Sequence, residues 1–252
     1  MKTQILIPAY NASKTISDVI DKMPFSIIDK IIIVNDGSKD NTLEIIKRLS
    51  EKYEKIHIVN HEKKKGYGAA QISLYKEGLR LGGDIFILLH ADKNHSPEEI
   101  PLFLETLKNN DCDMVLGSRV LGIHNSSNPI LGLNFLGHVF SGSMPAHKYV
   151  GNRVLTKLMN LLLNMQLTTF HCGYKACTRK LIENIPFEKF GQGYIYDTEI
   201  LVNANKNGFK IIEIPISSHY DKNAGSSVEI VKYTFNILKF ILEFKRKNKI
   251  EN

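Results

Sequence analysis

Residues 4–38, QILIPAYNASKTISDVIDKMPFSIIDKIIIVNDGS, decide the fold class. Ile5, Leu6 and Ile7 form a short unbroken apolar run, and Ile31, Ile32, Ile33 and Val34 form a second, wholly β-branched one. Runs this short, without polar alternation, suit parallel strands covered on both faces. Between them Ile16, Val19, Ile20 and Met23 recur at helical spacing. The unit is β-α-β.

The alternation continues outward. The pattern predicts a helix over roughly 42–52, a strand Ile56–Val59, a helix over roughly 68–81 and a strand Ile85–Leu89. Ser96-Pro97-Glu98-Glu99 reads as a capping box with proline at the first helical position, opening a helix to about Asn109. Met114-Val115-Leu116 gives another strand. A Gly, Ser and Asn-rich stretch from Arg119 to about Pro145 is expected to be the most mobile loop, and a Leu and Met-rich helix follows to about Met165. A strand near Tyr174–Cys177, a helix over roughly 195–207, a strand Ile211–Ile216 and a long helix from about Val228 complete the chain.

The last helix carries two apolar stripes, Val228, Val231, Phe235, Leu238 and Leu242 against Ile230, Tyr233, Ile237, Phe240, Ile241 and Phe244. One can pack on its own domain. The second calls for a cover: the same domain, a partner subunit, or a bilayer interface with the basic residues after Phe244 near anionic headgroups. Glu229, Lys232, Lys239 and Glu243 interrupt it too often for a membrane span.

A chain of 252 residues suits one α/β domain with a C-terminal extension. Met1-Lys2-Thr3 runs into the first apolar segment without the features of a secretory signal, so a cytoplasmic compartment is expected. There Cys112, Cys172 and Cys177 would stay reduced. The net charge of +7 favours phosphate-rich ligands or anionic surfaces without choosing among them. Its dense runs, Lys63–Lys65 and Lys245–Lys247, lack the interleaved aromatics of a nucleic-acid face, so no nucleic-acid partner is expected.

In an open α/β sheet, ligands bind beyond the carboxyl ends of the strands. The residues there are Pro8-Ala9-Tyr10-Asn11, Asn35-Asp36-Gly37-Ser38, His90-Ala91-Asp92-Lys93-Asn94 and Gly117-Ser118-Arg119. With Gly66-Tyr67-Gly68-Ala69-Ala70 and Cys172-Gly173-Tyr174-Lys175-Ala176, they make six motifs in order. The sequence resembles the inverting family 2 glycosyltransferases, in their dolichyl-phosphate mannosyltransferase-like branch.

That resemblance implies a GT-A fold, a Rossmann-like α/β architecture with a mostly parallel central sheet flanked by helices. It implies a domain over 1–227, with a donor-binding half to about 119 and an acceptor-side half beyond it, then an amphipathic helix and basic tail over 228–252. The implied activity moves a sugar from a uridine or guanosine diphosphate donor to a polyprenyl phosphate or a cell-envelope glycan, near the inner face of a membrane. A catalytically silent nucleotide-sugar binder is the rival reading. Pro8, Ala9, Tyr10, Asn11, Asp36, Gly66, Ala91, Asp92 and Arg119 are the expected donor contacts. Asp36 can accept the ring N–H that uracil and guanine share. Arg119 offers a forked donor to the diphosphate. His90, Asp92 and Asn94 stand where the family has its acidic metal signature, His90 replacing the usual first carboxylate, so manganese or magnesium is the expected cofactor. Asp197 is the candidate base, and has no such duty if the acceptor is an already ionised phosphate.

Overall fold

The computed structural model describes residues 1–121, 146–217 and, in the final helix, 235–237, 239–244 and 246. Its strands are β1 (Thr3–Ala9), β2 (Lys30–Asp36), β3 (Ile56–His61), β4 (Ile85–Leu88), β5 (Met114–Ser118), β6 (Lys175–Thr178) and β7 (Ile211–Pro215). Its helices are α1 (Ile16–Asp21), α2 (Thr42–Lys52), α3 (Tyr67–Arg80), α4 (Ile100–Asn110), α5 (Ala146–Leu163), α6 (Arg179–Glu183) and α7 (Tyr196–Lys206). The strands form one sheet in the order β3-β2-β1-β4-β6-β5-β7.

The two runs that decided the fold class are its centre. Ile5, Leu6, Ile7 and Ile31 through Val34 have no exposed surface, and β1 pairs in parallel with β2 on one side and β4 on the other. Each such side chain contributes about 1.5–3 kcal/mol by leaving water. Helix α1 buries Ile16, Val19 and Ile20, and α2 buries Thr42, Ile46 and Leu49, each along one face.

β6 is the exception to the parallel pattern, running antiparallel to both β4 and β5. Its first residue, Lys175, pairs with Leu88 at the end of β4 and with Leu116 in β5. Residues 172–174 therefore arrive at the edge where the parallel strands finish. A four-residue strand carries too little pattern to announce its direction, but this reversal brings the Cys172-Gly173-Tyr174 motif to the crevice.

Ser96 and Glu99 do not form the expected capping box. Ser96 Oγ donates to Glu98, while Glu99 accepts from the backbone and hydroxyl of Ser217 just after β7. A 3-10 turn over Pro97–Glu99 takes up the first turn and α4 starts at Ile100. The long-range tie to Ser217 has displaced the local one.

Cys112, Cys172 and Cys177 are buried and free, as expected of reduced core thiols. In the last helix Ile237 and Ile241 are buried, with Phe240 and Phe244 packed beside them. Phe235 and Leu242, from the other stripe, are 66% and 69% exposed. The stretch 122–145, expected to be a mobile loop, and the start of the last helix, 228–234, lie outside the described residues. No helix among the described residues is long and apolar enough to cross a membrane.

Candidate active site

The loops leaving β1, β2, β4 and β5 meet along one edge of the sheet. Asn11, left-handed at φ 50°, ties the first two together: its amide donates to Ser38 Oγ at 3.0 Å and its side-chain oxygen accepts from Lys39 N at 2.9 Å. Pro8 is half-buried and Ala9 buried, while Tyr10 stands at the rim with the Lys64 ammonium 3.8 Å over its ring.

Asp36 ends β2 and is 3% exposed. Its carboxylate accepts from the amides of Lys65 and Gly66, both at 2.9 Å, and contacts His61 Nδ1 at 2.8 Å. Three partners occupy most of what a carboxylate can accept. Asp36, the residue expected to touch a base, also shapes the loop that leads into α3. Gly37 makes that loop possible: its φ is 64°, and a Cβ would lie 2.4 Å from Lys64 N.

That loop delivers Tyr67, first residue of α3, to the loop after β4. The Tyr67 hydroxyl lies 2.7 Å from His90 Nε2 and donates to Asp197 Oδ2 at 2.9 Å. His90 Nδ1 in turn stands 4.0 Å from Asp92 Oδ2. Asp92 is the exposed member, its carboxylate accepting from Asn94 N at 3.1 Å and Asn94 Nδ2 at 2.6 Å, while Ala91 beside it is buried. Contact by contact, the structure joins Asp36, Gly66, His90, Asp92 and Asn94 along one wall of the crevice.

Gly173 closes the floor. A Cβ there would fall 2.2 Å from His90 Nε2 and 3.0 Å from the Tyr67 hydroxyl, so only glycine lets the imidazole pack against this segment.

Asp197, in the first turn of α7, is buried and ion-paired with Lys175, which has no exposed surface. Gln71 Nε2 donates to the same oxygen at 2.9 Å. Burial pushes this carboxyl up, but Lys175 and then Gln71 outweigh it and hold the group below the ordinary carboxylate range. Arg119 follows β5, close enough for its charge to act on two neutral imidazoles. Burial pushes His95 down to about 2, with His90 and Arg119 acting the same way. Burial also pushes His171 down to about 4, Asp197 opposing and Arg119 assisting.

Tyr67, Gln71 and Lys175 were not singled out from the sequence as site residues. A signal existed for two of them: Tyr67 and Gln71 are one turn apart and share a helix face, and a buried glutamine on an apolar face needs a polar partner.

Residues 4–185 match the family model described as "Glycosyl transferase family 2". The chain belongs to that family. Among curated relatives, this glycosyltransferase is 30% identical over 253 residues to the "UDP-N-acetylglucosamine--dolichyl-phosphate N-acetylglucosaminyltransferase" of Methanococcus voltae, covering 96% of this chain and 95% of that one. It is 25% identical over 222 residues to the "Polyprenol monophosphomannose synthase" of Mycolicibacterium smegmatis, covering 86% and 77%. Among solved structures it resembles glucosyl-3-phosphoglycerate synthase from Mycobacterium tuberculosis, in complex with Mn2+, uridine diphosphate and phosphoglyceric acid. The TM-score is 0.62 at 19% identity, over 88% of this chain and 71% of that one, a likeness of fold. The seven-stranded, mostly parallel sheet flanked by helices is thus that of a GT-A glycosyltransferase.

Proposed function

We propose that this glycosyltransferase moves a sugar from a nucleoside diphosphate to a polyprenyl phosphate, inverting the anomeric carbon, with a divalent cation bound at His90 and Asp92. The state of Asp197 carries the choice of acceptor. A sugar hydroxyl must lose its proton during attack, and the base must be free to take it. The Asp197 carboxylate is buried, paired with Lys175 and held on the acidic side of its ordinary range. A phosphate acceptor is ionised before it arrives and needs no base. Asp197 then serves as an anchor for Tyr67 and Lys175, not as the base considered from the sequence.

The names of the two curated relatives, one acting on dolichyl phosphate and one making polyprenol monophosphomannose, support the same class of acceptor. So do the exposed Val154, Leu158 and Leu161 along one face of α5 and Phe235 and Leu242 on the last helix, apolar surface suited to a lipid tail or the membrane holding it. On this reading the enzyme works peripherally at the inner face of a membrane.

Among the described residues no three histidine, cysteine or carboxylate side chains gather to hold a cation alone, so a cation here would rest on two of them and on the donor. His90 Nδ1 and Asp92 Oδ2 are 4.0 Å apart, near enough to share one ion, with a donor diphosphate and water able to complete its shell. Asn94 holds the Asp92 carboxylate in place. One imidazole and one carboxylate suit manganese better than magnesium. When bound, the cation neutralises charge developing on the departing diphosphate. Arg119 assists from the β5 side, Tyr10 and Asn11 line the base end with Pro8 and Ala9 beneath, and Asp36 holds the Lys65–Gly66 loop against the donor.

The deciding assay supplies uridine and guanosine diphosphate sugars with Mn2+ and either a polyprenyl phosphate or a soluble glycan. Sugar appearing on the lipid phosphate is the expected result. Transfer to the glycan alone would reverse the assignment of acceptor, and donor binding without transfer to either would mark a silent binder.

A further inference from the structure

The Tyr67 hydroxyl sits between an anion and an imidazole, and a phenol has one proton to give. Asp197 Oδ2, 2.9 Å away, belongs to a carboxylate kept ionised by Lys175 and can only accept. The proton therefore points to Asp197. The 2.7 Å contact from the phenol oxygen to His90 Nε2 must then be donated by the imidazole. A neutral ring with its proton on Nε2 leaves the lone pair on Nδ1, the nitrogen that faces Asp92. Gly173 admits the ring to this position, since a Cβ there would overlap Nε2.

We infer that Tyr67 is a positioning residue: oriented by Asp197, it locks His90 in its Nε2–H tautomer and so presents Nδ1, together with the Asp92 carboxylate, as a preformed nitrogen–oxygen pair for a divalent cation. This rests on the reading of His90 and Asp92 as the cation's ligands. It accounts for how a site with histidine in place of a first carboxylate can hold a metal: the missing charge is replaced by a lone pair whose direction is fixed from behind. Partners on the far nitrogen of a metal-binding histidine commonly act this way, and their loss lowers affinity by about 10- to 100-fold.

The test reads the ring directly. Histidine-labelled, metal-free protein at about pH 8, above the ordinary histidine range, is observed by long-range proton–nitrogen NMR, with His90→Gln identifying the resonances by their loss. The expected spectrum has Nε2 protonated and Nδ1 bare. In Tyr67→Phe the two tautomers mix, and affinity for Mn2+ alone, by calorimetry, falls about tenfold or more. A proton on Nδ1 in the wild type would overturn the inference, whatever Tyr67→Phe does to the fold. So would a Tyr67→Phe protein that keeps both the wild-type tautomer and the wild-type Mn2+ affinity. The outcome is separable from the proposed reaction: the expected tautomer and metal response in a protein that transfers no sugar sinks only the reaction, and active transfer with Nδ1 protonated sinks only this assignment.

Discussion

Lys175, first residue of the reversed strand, places its ammonium on the carboxylate of Asp197, 22 positions later in the first turn of α7. The pair is the hidden support of the site. It joins the antiparallel strand to the helix behind it and, through Tyr67, to His90.

Removing one partner strands a buried charge, which costs more than the pair is worth. Lys175→Met should destabilise the fold by about 3–5 kcal/mol, measured by urea unfolding. The double variant Lys175→Met with Asp197→Leu should be less destabilised than that single one, because neither charge is then orphaned. A double variant weaker than the single would show that Asp197 supports the fold through Tyr67 and Gln71 more than its lone charge costs it.

A second carboxylate gives a dependence on pH. Asp40 accepts from Ser13 N at 3.2 Å, Thr42 N at 3.1 Å and Thr42 Oγ1 at 2.5 Å, latching the loop after β2 to the one after β1. Burial pushes its pKa up, but the bonds from Ser13 and Thr42 together outweigh it and bring the group from 3.8 to about 2. The folded-state value is depressed, so the stability it contributes is complete above 3.8 and is lost as pH falls toward about 2. Acid titration of Asp40→Asn should show a shallower loss across that window than the wild type. Parallel curves would remove Asp40 from the account.

Much of this was legible in the chain, and the parts that were not share a cause. α2 spans Thr42–Lys52 as its pattern predicts, because an amphipathic helix writes its burial into local spacing. Asp92 could be singled out because a carboxylate after a strand has few structural duties. Lys175 and Asp197 could not be paired from sequence, since their contact depends on a strand reversal that four residues do not encode. Gly66-Tyr67-Gly68 looks like a turn, yet α3 begins at Tyr67 itself, and its hydroxyl finds its partners only once β4 and α7 are assembled. Asp36 shows the same limit: its position was readable, but the amides of Lys65 and Gly66 that fill its carboxylate come from a loop with no periodicity.

Asp92 is half-exposed and, among the described residues, hydrogen-bonds Asn94 and stands 4.0 Å from His90, so its removal should leave the fold intact. Asp92→Ala is expected to lower transfer by about 100-fold or more while leaving thermal unfolding within the range of ordinary surface changes. Gly173→Ala should act differently. Its methyl group would displace the His90 ring, costing about 1–3 kcal/mol of stability together with activity. Full activity in either variant would refute the placement of the cation between His90 and Asp92.

The last helix divides its apolar residues between two fates, and the division can be tested. Ile237 and Ile241 are buried against the domain, so they report on folding. Phe235 and Leu242 are mostly exposed, so replacing them should change stability by no more than about 0.5 kcal/mol. If the exposed stripe rests on a bilayer, Phe235→Glu with Leu242→Glu should abolish sedimentation with anionic vesicles, because two charges would have to enter the headgroup boundary. Transfer to a short-chain, water-soluble polyprenyl phosphate should survive in the same variant, since the crevice is untouched. If the stripe is instead a contact between two copies of the chain, the variant should bind vesicles as the wild type does and run as a smaller species in light scattering. The two outcomes exclude each other, and each assigns the surface a different occupant.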